Sequence, residues 1–119
     1  MIQDQPPPKR NDGQAIWDLV IADAEDGSSV FGLITKEAKD KIVADMHERK
    51  DVGIKRYGVS LQAHNGRDAI IDAYQEALDA AAYLRQAQEE GDAWASVLYK
   101  EALTMIIGIR ARIIMRDGK

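Results

Sequence analysis

The residues of this chain with the clearest capacity for chemistry are acidic. Asp68, Asp72, Glu76 and Asp79 follow one another at spacings of four, four and three. On a helix turning about 100° per residue they fall within an arc of roughly 80°, each one turn from the next. Like charges at that separation oppose helix formation by about 0.2–0.5 kcal/mol per pair. A solvated face intersperses lysine or arginine among its acids, whereas the only cations of this stretch, Arg67 and Arg85, project toward its apolar side. An external cation resolves the repulsion. Upstream, Asp45 and Glu48 stand three residues apart, neighbours on one edge of another helical stripe. Packed antiparallel, the two helices can bring the pairs together. Asp45, Glu48, Glu76 and Asp79 then make a hard, all-oxygen donor set that suits Mg2+ or Mn2+ rather than zinc or copper. Ions in such a set polarise phosphoryl oxygens and make hydroxide available from bound water.

The elements that must position these acids are helices. The first acidic pair lies on a stretch predicted helical from Thr35, its N-cap, to Asp51, with Ala38, Ile42 and Met46 at steps of four and Gly53 just past the end. Residues 53–65, with two glycines and the adjacent Lys55 and Arg56, show no sustained period and read as an ordered loop. The next helix is expected to open at Asn65 as N-cap, with Asp68 reaching back from the third helical position, and to run to about Glu90 before Gly91. Ile70, Tyr74, Ala77, Leu78, Ala81 and Leu84 form its apolar side.

A shorter helix is expected over residues 14–24, built on Ala15, Ile16, Trp17, Leu19, Val20 and Ile21. The last helix, 92–116, is apolar on two sides. Trp94, Val97, Leu98, Met105, Ile106 and Ile109 make one broad face, and Leu103, Ile107 and Ile114 lie nearly opposite. A helix apolar almost all round must be covered on both sides, and a chain of this length has few elements left to do so. Self-association into a dimer or tetramer is the natural cover. Residues 1–13, with all three prolines and little apolar surface, read as a disordered tail preceding a single all-α domain over 14–119. The fold class is therefore all-α, a helical bundle assembled as a homo-oligomer.

Composition removes whole classes of function. The 119 residues carry a formal charge of −4. No broad basic field is available to hold duplex nucleic acid or an anionic membrane. Cysteine is absent, which excludes disulfides, cysteine-ligated zinc and a thiol nucleophile. The start has neither the basic nor the apolar region of a secretory signal, and no stretch of about 18 apolar residues follows. A cytoplasmic location is expected.

The spacing of the acids is also familiar. Asp45-x-x-Glu48, an interval of 27 residues, and Glu76-x-x-Asp79 resemble the Glu-x-x-Glu and Glu-x-x-Asp signature of the MazG-like all-α nucleoside triphosphate pyrophosphohydrolases. Asp45 departs from that pattern, standing where the family usually has glutamate. The stretch Arg56-Tyr-Gly, then Asn65-Gly-Arg-Asp-Ala-Ile-Ile-Asp-Ala-Tyr-Gln-Glu-Ala-Leu-Asp79, with Tyr83-Leu-Arg, is similar to small phage-encoded members of the group. These include the MazZ type, which cleaves dGTP and dATP to monophosphates. The resemblance covers residues 35–90 and implies a helical bundle of MazG-like type, acting in the host-cell cytoplasm if phage-encoded. It implies a nucleoside triphosphate substrate cut to monophosphate and pyrophosphate with two or three Mg2+ or Mn2+ ions per site. Glu48 and Glu76 are then the catalytic acids, and Asp45, Glu48, Glu76 and Asp79 the metal ligands. Lys55, Arg56, Tyr57, Asn65, Arg67, Asp72 and Tyr83 are candidates for the substrate.

Plainer readings stand beside these. Asp68 has a structural explanation as a capping residue, and Asp72 is either a further acid at the site or a solvated side chain. Lys55 and Arg56 either meet phosphate or are surface charges, and Tyr57 and Tyr83 either stack on a base or pack. Trp17 and Trp94 read as core or interface anchors. Two other functions fit the same residues: a non-enzymatic helical interaction module with an acidic binding face, and a house-cleaning pyrophosphatase for dUTP or modified nucleotides.

Overall fold

A computed structural model describes residues 4–119. Four α-helices account for most of them: α1 Ile16–Glu25, α2 Lys36–Tyr57, α3 Ala69–Glu89 and α4 Ala95–Asp117. A single 3-10 turn, Val30–Leu33, lies between α1 and α2. The all-α expectation holds among the described residues, where the one β feature is an isolated bridge between Ala15 and Gln62. The chain divides into two compact units, Pro6–Arg67 and Asp68–Lys119, the latter including Gln5.

In the first unit α2 packs on α1, whose Ile21 and Ala24 are buried. Lys50 fixes the pair by donating to Asp18 across 2.9 Å. Thr35 caps α2 as its type predicts, its hydroxyl accepting from Ala38 N at 3.2 Å. The predicted end of α2 is wrong by six residues: the helix continues from Asp51 through Gly53 to Tyr57. Val43, Met46, Lys50 and Gly53 are half-buried at alternating steps of three and four, so one packed stripe persists past the glycine. The helix stops where Gly58 adopts φ 74° and donates its N–H to Ile54 O, the left-handed C-cap that glycine allows at least cost.

The 58–67 loop is fastened by the segment before α1. Asn11 and Gln62 exchange bonds: Asn11 N donates to Gln62 Oε1, and Gln62 Nε2 donates to the carbonyls of Asn11 and Gly13. Asn11 Nδ2 adds bonds to the carbonyls of Ala63 and His64. Lys9 N donates to Asn65 O and Ile16 N to Leu61 O, each at 2.8 Å. Of the expected tail, residues 1–3 lie outside the described residues, while residues 9–13 are tied to the loop through polar partners more than 45 positions away that composition does not reveal.

The second unit is a hairpin of α3 and α4. The seam on α4 is Ala95, Tyr99, Ala102, Ile106, Ile109 and Ile113, spaced alternately four and three; Ala95, Ala102 and Ile113 are buried and the others half-buried. Opposite it α3 buries Ala77 and Ala81 and half-buries Tyr74, Leu78 and Leu84. This seam corrects the broad face expected for α4. Ile106 and Ile109 belong to the seam, but Trp94, Val97, Leu98 and Met105 are exposed, Trp94 and Met105 most of all. Small residues let the two backbones approach, so the seam runs between the two predicted faces and leaves both open.

Candidate metal centre

The four sequence-predicted ligands keep their helical positions. Asp45 and Glu48 lie on α2, both exposed, one turn apart in the first unit. Glu76 and Asp79 lie on α3, also exposed, one turn apart in the second. Each unit by itself presents two of the four predicted ligands. Among the described residues no group of three or more histidine, aspartate or glutamate side chains stands ready to hold a metal ion.

The acidic arc on α3 separates into two halves with different surroundings. Asp68 is the N-cap of α3, not its third residue, and its Oδ1 accepts from Ile70 N at 3.1 Å and Ile71 N at 3.2 Å. Arg116, near the end of α4, meets the same carboxylate through two bonds of 3.0 and 2.7 Å. The Arg116 guanidinium and the cap N–H groups hold the Asp68 carboxyl below its ordinary range, against a smaller opposing effect of burial. Asp72, half-buried, accepts from Gln5 Nε2 at 2.8 Å, and the same amide group reaches Asp68 O. The expected absence of compensation therefore fails for these two acids: a cation arrives from 48 residues away and an amide from 67. Among the described residues Glu76 and Asp79 have no such partner. The one arginine within the helix, Arg85, is engaged with Glu89.

The candidates for the substrate are distributed differently from the loop the sequence suggested. Lys55 and Arg56 occupy the last turn of α2, where cations favour the carbonyl end of the helix. The Arg56 guanidinium sits 5.1 Å from the centre of the Tyr57 ring, a cation–π contact that holds both at the helix end. Asn65 is not the cap of α3. It is buried in the loop, its Oδ1 accepting from Arg67 N at 3.1 Å. Arg67 donates from Nη1 to Pro6 O at 2.8 Å, so its guanidinium already organises the loop. His64 has φ 58°, in the left-handed region. Tyr83 lies open on α3, and Trp17 is half-buried on α1.

Each unit by itself thus offers an exposed pair of carboxylates one turn apart, and the pair on α3 has no cation of its own among the described residues. Compared with protein-family models, with curated proteins and with solved structures, the chain finds no match.

Proposed function

We propose that the chain is a metal-dependent nucleoside triphosphate pyrophosphohydrolase of MazG-like type, with dGTP and dATP as its preferred substrates. The observation that carries this reading is the survival of Glu76 and Asp79 as unpaired acids on an arc whose other two members are bonded, Asp68 by Arg116 and Asp72 by the Gln5 amide. A helix bearing an uncompensated carboxylate pair gives up stability that a bound cation restores. On α2 Asp45 and Glu48 are likewise exposed one turn apart, with Lys41 and Arg49 each one turn from Asp45.

In this reading Glu48, Glu76 and Asp79 bind the ions, with Asp45 assisting through its shorter side chain. Bound Mg2+ or Mn2+ supplies charge neutralisation and a supply of hydroxide at neutral pH. A carboxylate not fully committed to the ions orients the water that attacks the α-phosphorus. The bond to the bridging oxygen breaks, pyrophosphate leaves and the nucleoside monophosphate remains. Lys55 and Arg56 face the charge that grows on the β- and γ-phosphates. Tyr57 and Tyr83, both exposed, offer rings whose stacking rewards the larger surface of a purine.

The deciding experiment is pyrophosphate release from each of the four common dNTPs, dUTP and the NTPs, with Mg2+ and with Mn2+. Comparison of kcat/KM reads transition-state preference directly. Purine deoxynucleotides are expected to be cleaved best. Equal hydrolysis of dUTP, dCTP or dTTP overturns the purine preference and leaves a general or house-cleaning pyrophosphatase; no release from any substrate overturns the enzymatic reading.

A further inference from the structure

Along α4, on the side away from Leu103, Ile107 and Ile114, runs a stripe of Trp94, Leu98, Glu101, Met105, Gly108, Arg112 and Met115. Its spacing alternates four and three, the repeat by which one helix meets another knobs-into-holes. Every member is exposed: Leu98 is 48 % open, Met105 59 %, Met115 78 % and Trp94 78 %. Two charges interrupt it. Glu101 has Val97, Leu98, Thr104 and Met105 as its neighbours one turn away, and Arg112 has Gly108, Ile109, Met115 and Arg116. Neither set contains an opposite charge, and the two residues are about 16 Å apart along the helix. Among the described residues neither takes part in an ion pair.

We infer that a second copy of the chain docks antiparallel on this stripe, with Glu101 of each copy paired to Arg112 of the other. A two-fold interface brings residue i of one copy to residue j of its mate and j to i, so a surface must be complementary to its own reversed sequence. This one is. Reversal about the point between Ile106 and Ile107 sets Leu98 against Met115, Glu101 against Arg112 and Met105 against Gly108, each twice. Gly108 has open space where a side chain would stand, with nothing within 4 Å of a Cβ built there. The mate's Met105, long and flexible, fills such a gap.

The opposite strip, which carries Lys100, Arg110 and Asp117, is the weaker candidate, because its one acid is already held and leaves its cations no free acid to meet across a two-fold. Arg110 donates to Lys119 O at 3.2 Å, and Asp117 is held by Arg116 at 2.7 Å. The choice of stripe therefore follows from where an acid and a base both remain unspent, and it does not depend on the proposed activity.

The test is charge exchange followed by sedimentation or light scattering at low salt. Glu101→Arg and Arg112→Glu, each alone, place like charges together twice and are expected to weaken self-association at least about tenfold. Mixing the two single variants restores opposite pairs at both positions and is expected to yield a heterodimer, and the double variant is expected to regain the wild-type homodimer. Restoration on mixing also shows that both variants are folded. The chain has no cysteine, so Leu98→Cys with Met115→Cys is expected to form a disulfide-linked dimer on oxidation. A monomeric wild-type chain, single variants that associate normally, failure of the mixture, or crosslinking through Leu103→Cys with Ile114→Cys instead each overturns the proposal.

Discussion

Asp68 and Glu76 share one face of α3, two turns apart, and their surroundings are opposite. Asp68 is held by Arg116 and two cap N–H groups; Glu76 is open and unpaired. Spacing identified both as acids on one face, but only the fold tells a structural carboxylate from an available one. Arg116 and Gln5 lie 48 and 63 positions from Asp68, beyond any helical period. Glu76→Gln keeps the side-chain volume and removes the charge, so turnover is expected to vanish while the circular-dichroism spectrum is kept. The melting temperature without metal should hold or rise, since a repulsive neighbour is lost. Pyrophosphate release at the wild-type rate from this variant would refute the site. For Asp68 the effect is on stability: Asp68→Ala removes an N-cap and is expected to cost about 1 kcal/mol. Because the folded pKa is lowered, the charge-dependent part of that difference is present above the ordinary carboxylate pKa. It is lost as pH falls through the folded value. Urea unfolding of both proteins from pH 7 down to pH 2 checks this, and a difference that grows on acidification contradicts it.

The helices were legible because their apolar positions recur at helical spacing, and Thr35 and Gly91 mark ends where the structure finds them. Two boundaries were misread for physical reasons. Gly53 looked like a stop, yet it is half-buried at the position that continues the stripe Val43, Met46 and Lys50 begin. Tertiary contact outweighs a propensity cost of about 1 kcal/mol. Asn65 looked like a cap, but the cap role passes to Asp68, whose carboxylate also meets Arg116. The two glycines of α2 then make a matched pair of predictions. Gly53 lies within the helix with nothing within 4 Å of an added Cβ. Gly53→Ala is therefore expected to stabilise by about 0.5–1 kcal/mol. Gly58, at φ 74°, is at the left-handed cap, and Gly58→Ala is expected to destabilise by about 1 kcal/mol despite equally open space. Chemical denaturation of the two variants compares them, and equal shifts of one sign would contradict the assigned helix end.

At the scale of the whole molecule, the exposed residues that stand out are of two kinds. The apolar stripes of α4 lie open, and Glu76 and Asp79 of α3 have no cation beside them among the described residues. A basic protein partner and a divalent ion both neutralise such a pair, but they do so differently. An acidic face that only repels itself gains from any increase in ionic strength, because screening acts on all its charges alike. A site that binds an ion stabilises the folded state according to ion concentration over Kd, by about 2.7 kcal/mol when the ion is at a hundred times Kd. For domains of this size that corresponds to a rise of several degrees or more in melting temperature. Melts in millimolar MnCl2 are therefore expected to lie above melts in NaCl of matched ionic strength, and to climb with each tenfold increase in Mn2+. Replacing Glu76 and Asp79 by Gln and Asn should remove the difference, while the same exchange at Asp72, already bonded by Gln5, should leave most of it. Identical melts in the two salts would leave the acidic face as a docking surface for a basic partner, and the pyrophosphohydrolase reading would then have lost its metal.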